Sequence, residues 1–208
     1  MTAVHVVAPP EEASEADAEG GAPIELTAAF TDLEDFTTYT EAEGDDAASR
    51  LLIGHHRESE LIVRSRGGRV LKRLGDGLML TFPEPEAAVL AFLELSEPAP
   101  LRLRAGIHVG TVLVTGDDVI GHVVNLAARV TESAEAGELV VTEHVRTAVG
   151  DLRGVAFDGP YRRSFKGIGE TVQVYLASRL VCRSPDPQTD PAGRPTERPH
   201  YSSSARAS

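Results

Sequence analysis

Lys72-Arg73-Leu74-Gly75-Asp76-Gly77-Leu78-Met79-Leu80-Thr81-Phe82 is two apolar-alternating runs joined through an Asp-Gly pair. That pattern predicts a β-hairpin over 69–82 with its turn at Asp76-Gly77. The hairpin carries one carboxylate at its tip and a lysine a few residues before it. A Gly-Asp-Gly triplet alone is only a turn. It gains weight from three further segments that supply, in chain order, what a metal-dependent nucleotide site requires.

Outward from the hairpin, strands and helices alternate. Upstream, 24–30 reads as a strand. Residues 45–66 read as a helix with Ala48, Leu51, Leu52, His55, Ser59 and Ile62 near one face, stopped by Gly67-Gly68. Downstream, 83–97 reads as a helix and 101–114 as strands broken at Gly110. Residues 119–135 read as a helix, 139–141 as a strand, and 155–177 as two or three short antiparallel strands. The expected fold is α+β, a ferredoxin-like sandwich of a mostly antiparallel sheet with flanking helices, occupying 23–180. Residues 1–22, rich in Glu, Ala and Pro, and 181–208, rich in Pro, Ser and Arg, are expected to be disordered.

Composition narrows the function. A formal net charge of -12 argues against a nucleic-acid partner, which calls for clustered Lys and Arg. It leaves room for a nucleotide carried with a divalent cation, itself the largest local charge. The lone cysteine, Cys182, provides neither a disulfide nor a zinc site. With no basic-then-apolar leader and no run of ~18 apolar residues, the expectation is a cytoplasmic protein without a membrane partner.

Four segments carry chemistry. In Phe30-Thr31-Asp32-Leu33-Glu34-Asp35-Phe36-Thr37, a carboxylate at a strand end precedes a helix start. The strand tip offers oxygen ligands, and the first N–H groups of the helix can meet phosphate oxygens; Asp32 or Asp35 as a plain helix cap is the alternative. Asp76 is a second carboxylate. Two carboxylates suffice for Mg²⁺, which keeps water and substrate oxygens as its other ligands. On the segment from Asp118 to Arg129, Asn125 and Arg129 stand four apart on one helix face, with His122 near them and Val123, Ala127 and Val130 on a neighbouring apolar face. An amide and a guanidinium one turn apart can orient a ribose and offset transition-state charge. Lys166, flanked by Gly167, can reach a phosphate. His108 reads as a packed strand residue. The His55-His56 pair reads as one buried and one solvated imidazole.

Together these pieces resemble the class III nucleotidyl cyclase catalytic domain. The matching motifs are Phe-Thr-Asp-x-x-x-Phe-Thr at 30–37, Gly67-Gly68 followed by Lys72-x-x-Gly-Asp-Gly, and Gly106-Ile107-His108-x-Gly110. Asp118-x-x-Gly-x-x-x-Asn-x-Ala-Ala-Arg, 136–141 and Lys166-Gly167 complete the set, which covers 24–178. The resemblance implies a head-to-tail homodimer with shared sites. It implies two Mg²⁺ or Mn²⁺ ions on Asp32, Asp76 and the Leu33 backbone carbonyl, and phosphate contacts at Phe36, Thr37 and Lys166. It further implies a base-reading pair, Lys72 and Asp118, and a transition-state pair, Asn125 and Arg129. Lys72 and Asp118 match the adenylate version, so ATP is the expected substrate, cyclized to 3′,5′-cyclic AMP with release of pyrophosphate.

One position departs from the family pattern. Asp35 stands where such domains usually have glycine, beneath the triphosphate, and brings negative charge beside Glu34 toward a polyanion. The expected consequence is weak nucleotide affinity or a preference for Mn²⁺. Two other readings follow: a cyclase-like nucleotide-binding module with little turnover, and a metal-dependent phosphohydrolase, which gives Lys72, Asp118, Asn125 and Arg129 no role.

Overall fold

The computed structural model describes residues 23–96 and 101–180. The expectations for 1–22 and 181–208, with Cys182, lie outside the described residues. The chain runs β1 (Ile24–Leu33), α1 (Phe36–Glu43), α2 (Asp45–Ser65), β2 (Arg69–Leu74), β3 (Gly77–Phe82), α3 (Pro85–Leu95), β4 (Leu103–Thr115), β5 (Asp118–Ile120), α4 (His122–Glu132), β6 (Leu139–Thr142), α5 (Glu143–Val149), β7 (Val155–Ser164) and β8 (Thr171–Arg179). Seven strands form one sheet in the order β2-β3-β1-β4-β6-β8-β7, and β5 pairs with β4. Every pairing is antiparallel except β4 with β6. This is the expected α+β sandwich.

Side-chain alternation along β1 explains why helices cover both faces. Ala29 and Leu33 join Leu78, Leu80 and Phe82 of β3 in a core closed by Val63 of α2 and by Val89 and Phe92 of α3. Ala28, on the opposite face, joins Met79, Val112 and Val119 beneath Val123 and Ala127 of α4. Helix α4 is held by an apolar stripe at i, i+3, i+4 and i+7 (Val123, Leu126, Ala127 and Val130), all buried. Burying Leu126 and Val130 contributes about 1.5–3 kcal/mol each. The helix lies so close to the sheet that a Cβ at Gly106 would sit 2.3 Å from the Thr131 backbone nitrogen.

Three sequence expectations need correction. β4 is not broken at Gly110 but runs for 13 residues, because Gly110 leaves room for Val123 without interrupting the ladder. The segment 119–135 is not helical from its start: Val119 and Ile120 pair back onto β4 as β5, and α4 begins at His122 after Gly121. The first hairpin turns at Gly75-Asp76, since Leu74 pairs with Gly77. Gly75 takes the left-handed φ of 68° that the first central position of such a tight turn demands. The short helix α5 was not anticipated from the sequence.

Candidate active site

Asp32 ends up on the α4 face of the sheet, directly across the β1–β4 ladder from Arg104. Arg104 donates to the Asp32 carboxylate from Nε at 2.9 Å and from Nη2 at 2.5 Å. Its Nη1 lies 3.5 Å from Oε2 of Glu34. Asp76, at the tip of the first hairpin, accepts from the Leu33 backbone N–H. Burial raises the Asp76 carboxyl above its ordinary value, and the nearby Asp32 charge pushes the same way. Its own backbone N–H, the Leu33 N–H and Arg104 pull back. The neighbouring position carries no side chain: a Cβ at Gly77 would lie 2.5 Å from the Thr31 carbonyl and 3.5 Å from Oδ1 of Asp32. The hairpin tip therefore closes on the end of β1.

A divalent cation fits this donor set. Asp76, its proton affinity raised by burial and by the neighbouring Asp32 charge, sits with Asp32 at a strand tip where added positive charge is favourable, and the exposed side leaves room for water and substrate oxygens. No three His, Cys, Asp or Glu side chains among the described residues form a closed cage. The oxygen-only donors of Asp32 and Asp76 suit a magnesium-type ion better than zinc, which favours nitrogen and sulfur ligands.

Asp35 follows at once. It is the sole non-glycine among the described residues with a positive φ, 60°, and its side chain makes no capping hydrogen bond. The turn forms with aspartate in a conformation natural to glycine, and the exposed carboxylate is left unbonded beside the first turn of α1. Phe36 packs half-buried on the core, while Thr37 is exposed.

Lys72 and Asp118 are 46 residues apart, yet the Lys72 Nζ donates to Oδ2 of Asp118 at 2.6 Å. Two local devices bring them together. The register between β2 and β3 shifts between Val70 and Lys72, so Leu71 is an extra, bulged residue. Leu71 packs among the apolar side chains under α4, and Lys72 pairs opposite Met79 on that same face. Arg73 falls on the other face and meets Glu60 of α2. The second device is the β4–β5 hairpin, which sets Asp118 at the start of β5. The Lys72 hydrogen bond lowers the Asp118 carboxyl below its ordinary value, helped by the Val119 N–H. Both side chains remain open to solvent.

Asn125 and Arg129 project from α4 into a cleft of about 340 Å³ that also receives His122, Glu132 and Lys166. The lysine at 166 and the helix pair thus come together across 37 residues of chain, as the motif order suggested. The Arg129 Nη1 is held by both carboxylate oxygens of Glu132, at 2.7 and 2.6 Å. Asp32 and Asp76 do not line this cleft.

Sequence reading misses Arg104 and Glu132, and gives Glu34 no role beyond its charge beside Asp35. Glu132 was available as an i, i+3 partner of Arg129. Arg104 was not, because only the β1–β4 register puts it opposite Asp32. His108 is buried as expected, bonded through Nδ1 to Oγ1 of Thr142 at 2.8 Å, and burial lowers its pKa to about 4. Of the other pair, neither His55 nor His56 is fully solvated; burial lowers His55 to about 4 and also lowers His56.

The model of the adenylate and guanylate cyclase catalytic domain matches residues 23–178. The chain belongs to that family. An uncharacterized protein of Mycobacterium tuberculosis is 32% identical over 151 residues, which is 70% of this chain and 39% of that protein. A pH-sensitive adenylate cyclase of the same organism is 31% identical over 173 residues, 77% of this chain and 42% of that protein. This cyclase domain thus spans about two fifths of the length of those relatives. Among solved structures, the adenylyl cyclase CyaB of P. aeruginosa matches with a TM-score of 0.70 at 24% identity, covering 76% of this chain and 96% of that one. The guanylate cyclase domain of RhGC from Catenaria anguillulae, in complex with GTP, matches at 0.68 with 19% identity, covering 76% and 99%. The fold accommodates both names, so base choice must come from side chains. The family uses divalent metal ions, and among the described residues no helix of this cyclase domain is long and apolar enough to cross a membrane.

Proposed function

We propose that this domain is an adenylate cyclase that converts ATP to 3′,5′-cyclic AMP and pyrophosphate at sites shared between two copies of the chain. The observation that carries the choice of ATP is the Lys72–Asp118 pair at 2.6 Å. Adenine presents an N1 acceptor and an N6 donor on its pairing edge. A lysine can donate to the first and an ionised carboxylate can accept from the second. Guanine reverses the pattern and would leave both protein groups unpaired, a penalty that discriminates strongly. The adenylate cyclase among the relatives points the same way.

Asp32 and Asp76, with the Leu33 carbonyl, would hold two Mg²⁺ or Mn²⁺ ions, which would ease deprotonation of the ribose 3′-hydroxyl and neutralise the triphosphate. The first turn of α1, at Phe36 and Thr37, directs backbone N–H groups toward phosphate oxygens. Asn125 orients the ribose so that its 3′-oxygen lines up with the α-phosphorus. As that bond forms and the bond to the pyrophosphate oxygen breaks, Arg129 offsets the charge that develops on the phosphoryl oxygens. Lys166 meets the departing phosphates. The cleft holding Asn125, Arg129 and Lys166 lacks the two aspartates, which supports a site completed by a second copy. ATP as the substrate fits a cytoplasmic location.

Asp35 favours a second reading, a nucleotide-binding domain with little turnover, because an unbonded carboxylate stands at the turn that faces the triphosphate. Cyclic AMP formation from ATP, in Mg²⁺ and in Mn²⁺ with Asp76→Ala as control, separates the two readings. Product that disappears in the control supports the cyclase; no product at dimer-forming concentrations supports the binding module. Mixing Asp76→Ala with Asn125→Ala chains tests the shared site. Each is expected to be inactive alone, and random pairing should restore about a quarter of wild-type activity, since half the dimers then hold one intact site of two.

A further inference from the structure

Arg104 has two carboxylates to choose between. It is bonded to Asp32 through Nε and Nη2, yet its Nη1 is already within ion-pair distance of Glu34, at 3.5 Å. The facing oxygen of Glu34, Oε2, is buried and accepts no hydrogen bond. A buried carboxylate oxygen without a donor is costly, and a small tilt of the guanidinium would satisfy it. At the same time, Arg104 takes Oδ2 of Asp32 with two N–H groups and leaves Oδ1, the oxygen nearer the hairpin tip, to a first cation; a second cation shared by the same two carboxylates would need Oδ2 as well. A guanidinium and a metal ion cannot both take the same carboxylate lone pairs.

We propose that Arg104 is a two-position latch on the metal site: it holds Asp32 until a divalent cation takes that carboxylate, and then swings onto Glu34. The inference rests on the reading of Asp32 and Asp76 as metal ligands. Its consequence is regulatory. A cation that uses Oδ2 must displace an ion pair, so filling both places on Asp32 has a higher threshold for Mg²⁺ than its two carboxylates alone would set. Glu34 lowers that threshold by offering the displaced guanidinium a ready partner. The nearby charges are all accounted for in this exchange. Asp32, Glu34 and Asp76 each attract Arg104 electrostatically, and the cation's charge compensates Asp32 and Asp76 when the arginine leaves them.

The test uses the whole protein and metal alone. Mn²⁺ binding is measured by calorimetry or electron paramagnetic resonance for wild type, Arg104→Gln, Glu34→Gln, the double variant and Asp76→Ala. Mg²⁺ titration is followed through the Arg104 Nε–H resonance. A latch predicts that Arg104→Gln tightens Mn²⁺ binding about tenfold or more. It also predicts that Glu34→Gln weakens binding several-fold in the wild-type background and has little effect once Arg104 is gone. The coupling in that cycle is what simple charge addition would not give. The Arg104 resonance should move with the same midpoint as Mg²⁺ binding. If binding depends on Asp76 but the resonance stays fixed and the two substitutions are additive, the latch is wrong and the metal site stands. If neither wild type nor Arg104→Gln binds cation in an Asp76-dependent way, the metal reading fails and takes the latch with it.

Discussion

The strand-tip carboxylates and the Lys72–Asp118 pair both gather charge, in opposite ways. At the tip, like charges are crowded together: Asp32, Glu34 and Asp76 share one arginine, and burial raises the Asp76 proton affinity further. At the pair, opposite charges meet one to one in the open, and Asp118 loses proton affinity. The first arrangement is costly to the fold and calls for a cation. The second is nearly neutral to the fold, because solvent screens an exposed ion pair, and in the proposed reading its value lies in presenting a donor beside an acceptor. One region should therefore trade stability for activity, and the other should carry activity almost without a stability signature.

Asp76→Asn should break the comparison most sharply. Activity should fall by roughly a thousandfold or more, the scale at which essential catalytic groups act, while the protein melts no lower than wild type. The sign follows from the raised Asp76 carboxyl: its ionised form is disfavoured by folding above that pKa, and the cost fades as pH falls through it. Any advantage of the asparagine in a thermal melt should accordingly shrink toward acid pH. A large loss of melting temperature at neutral pH would mean that Asp76 supports the hairpin rather than straining it.

Lys72→Ala is the counterpart at the exposed pair. We expect kcat/KM for ATP to drop about a hundredfold, roughly 3 kcal/mol, with discrimination against GTP weakened and the melting temperature nearly unchanged. Steady-state kinetics with both nucleotides checks this. Unaltered nucleotide preference would remove the basis for assigning base recognition to the pair.

A third prediction concerns the core behind α4. His108 is buried and bonded to Thr142, with His144 edge-on at 5.3 Å and His122 also opposing its protonation. With a folded pKa of about 4 against 6.5 unfolded, protons bind the unfolded chain first as pH falls. Stability is therefore lost progressively between those values, up to roughly 3 kcal/mol from this group. Chemical denaturation at pH 7 and pH 5 should register the loss, and His108→Asn should remove its share while leaving that of His55.

Asp35→Gly sharpens the comparison with the smallest effect. Relieving a left-handed aspartate contributes about 1 kcal/mol of stability, and removing one exposed charge near the triphosphate should raise kcat/KM with Mg²⁺ by a few-fold to tenfold. Parallel assays in Mg²⁺ and Mn²⁺ would detect it.

The same contrast explains what could be read in advance. Lys72, Asp76, Asp118, Asn125, Arg129 and Lys166 are polar residues in spaced motifs, and the chain order of those motifs is enough to propose them as site residues. Hydrophobic alternation located β3 and the apolar stripe of α4 for the same local reason. Relations between distant strands stayed hidden. The Asp32–Arg104 contact depends on a ladder register set by the whole β1–β4 pairing, and no local pattern around Arg104 encodes it. Val119-Ile120 is too short an apolar run for periodicity to tell strand from helix. Pairing with Leu113 and Val114 decided it.

The bulged Leu71 has a bearing on how much chain β2 can lose. Val70 pairs with Leu80 and Lys72 with Met79, so the ladder already skips Leu71. Removing that residue would leave every other partner in place and Lys72 on its own face, at the expense of one apolar contact beneath α4. Removing Arg73 instead would bring Leu74 opposite Leu78 and pull the turn out of step with Gly75. The strand thus has one dispensable link directly beside one that fixes the length of the hairpin.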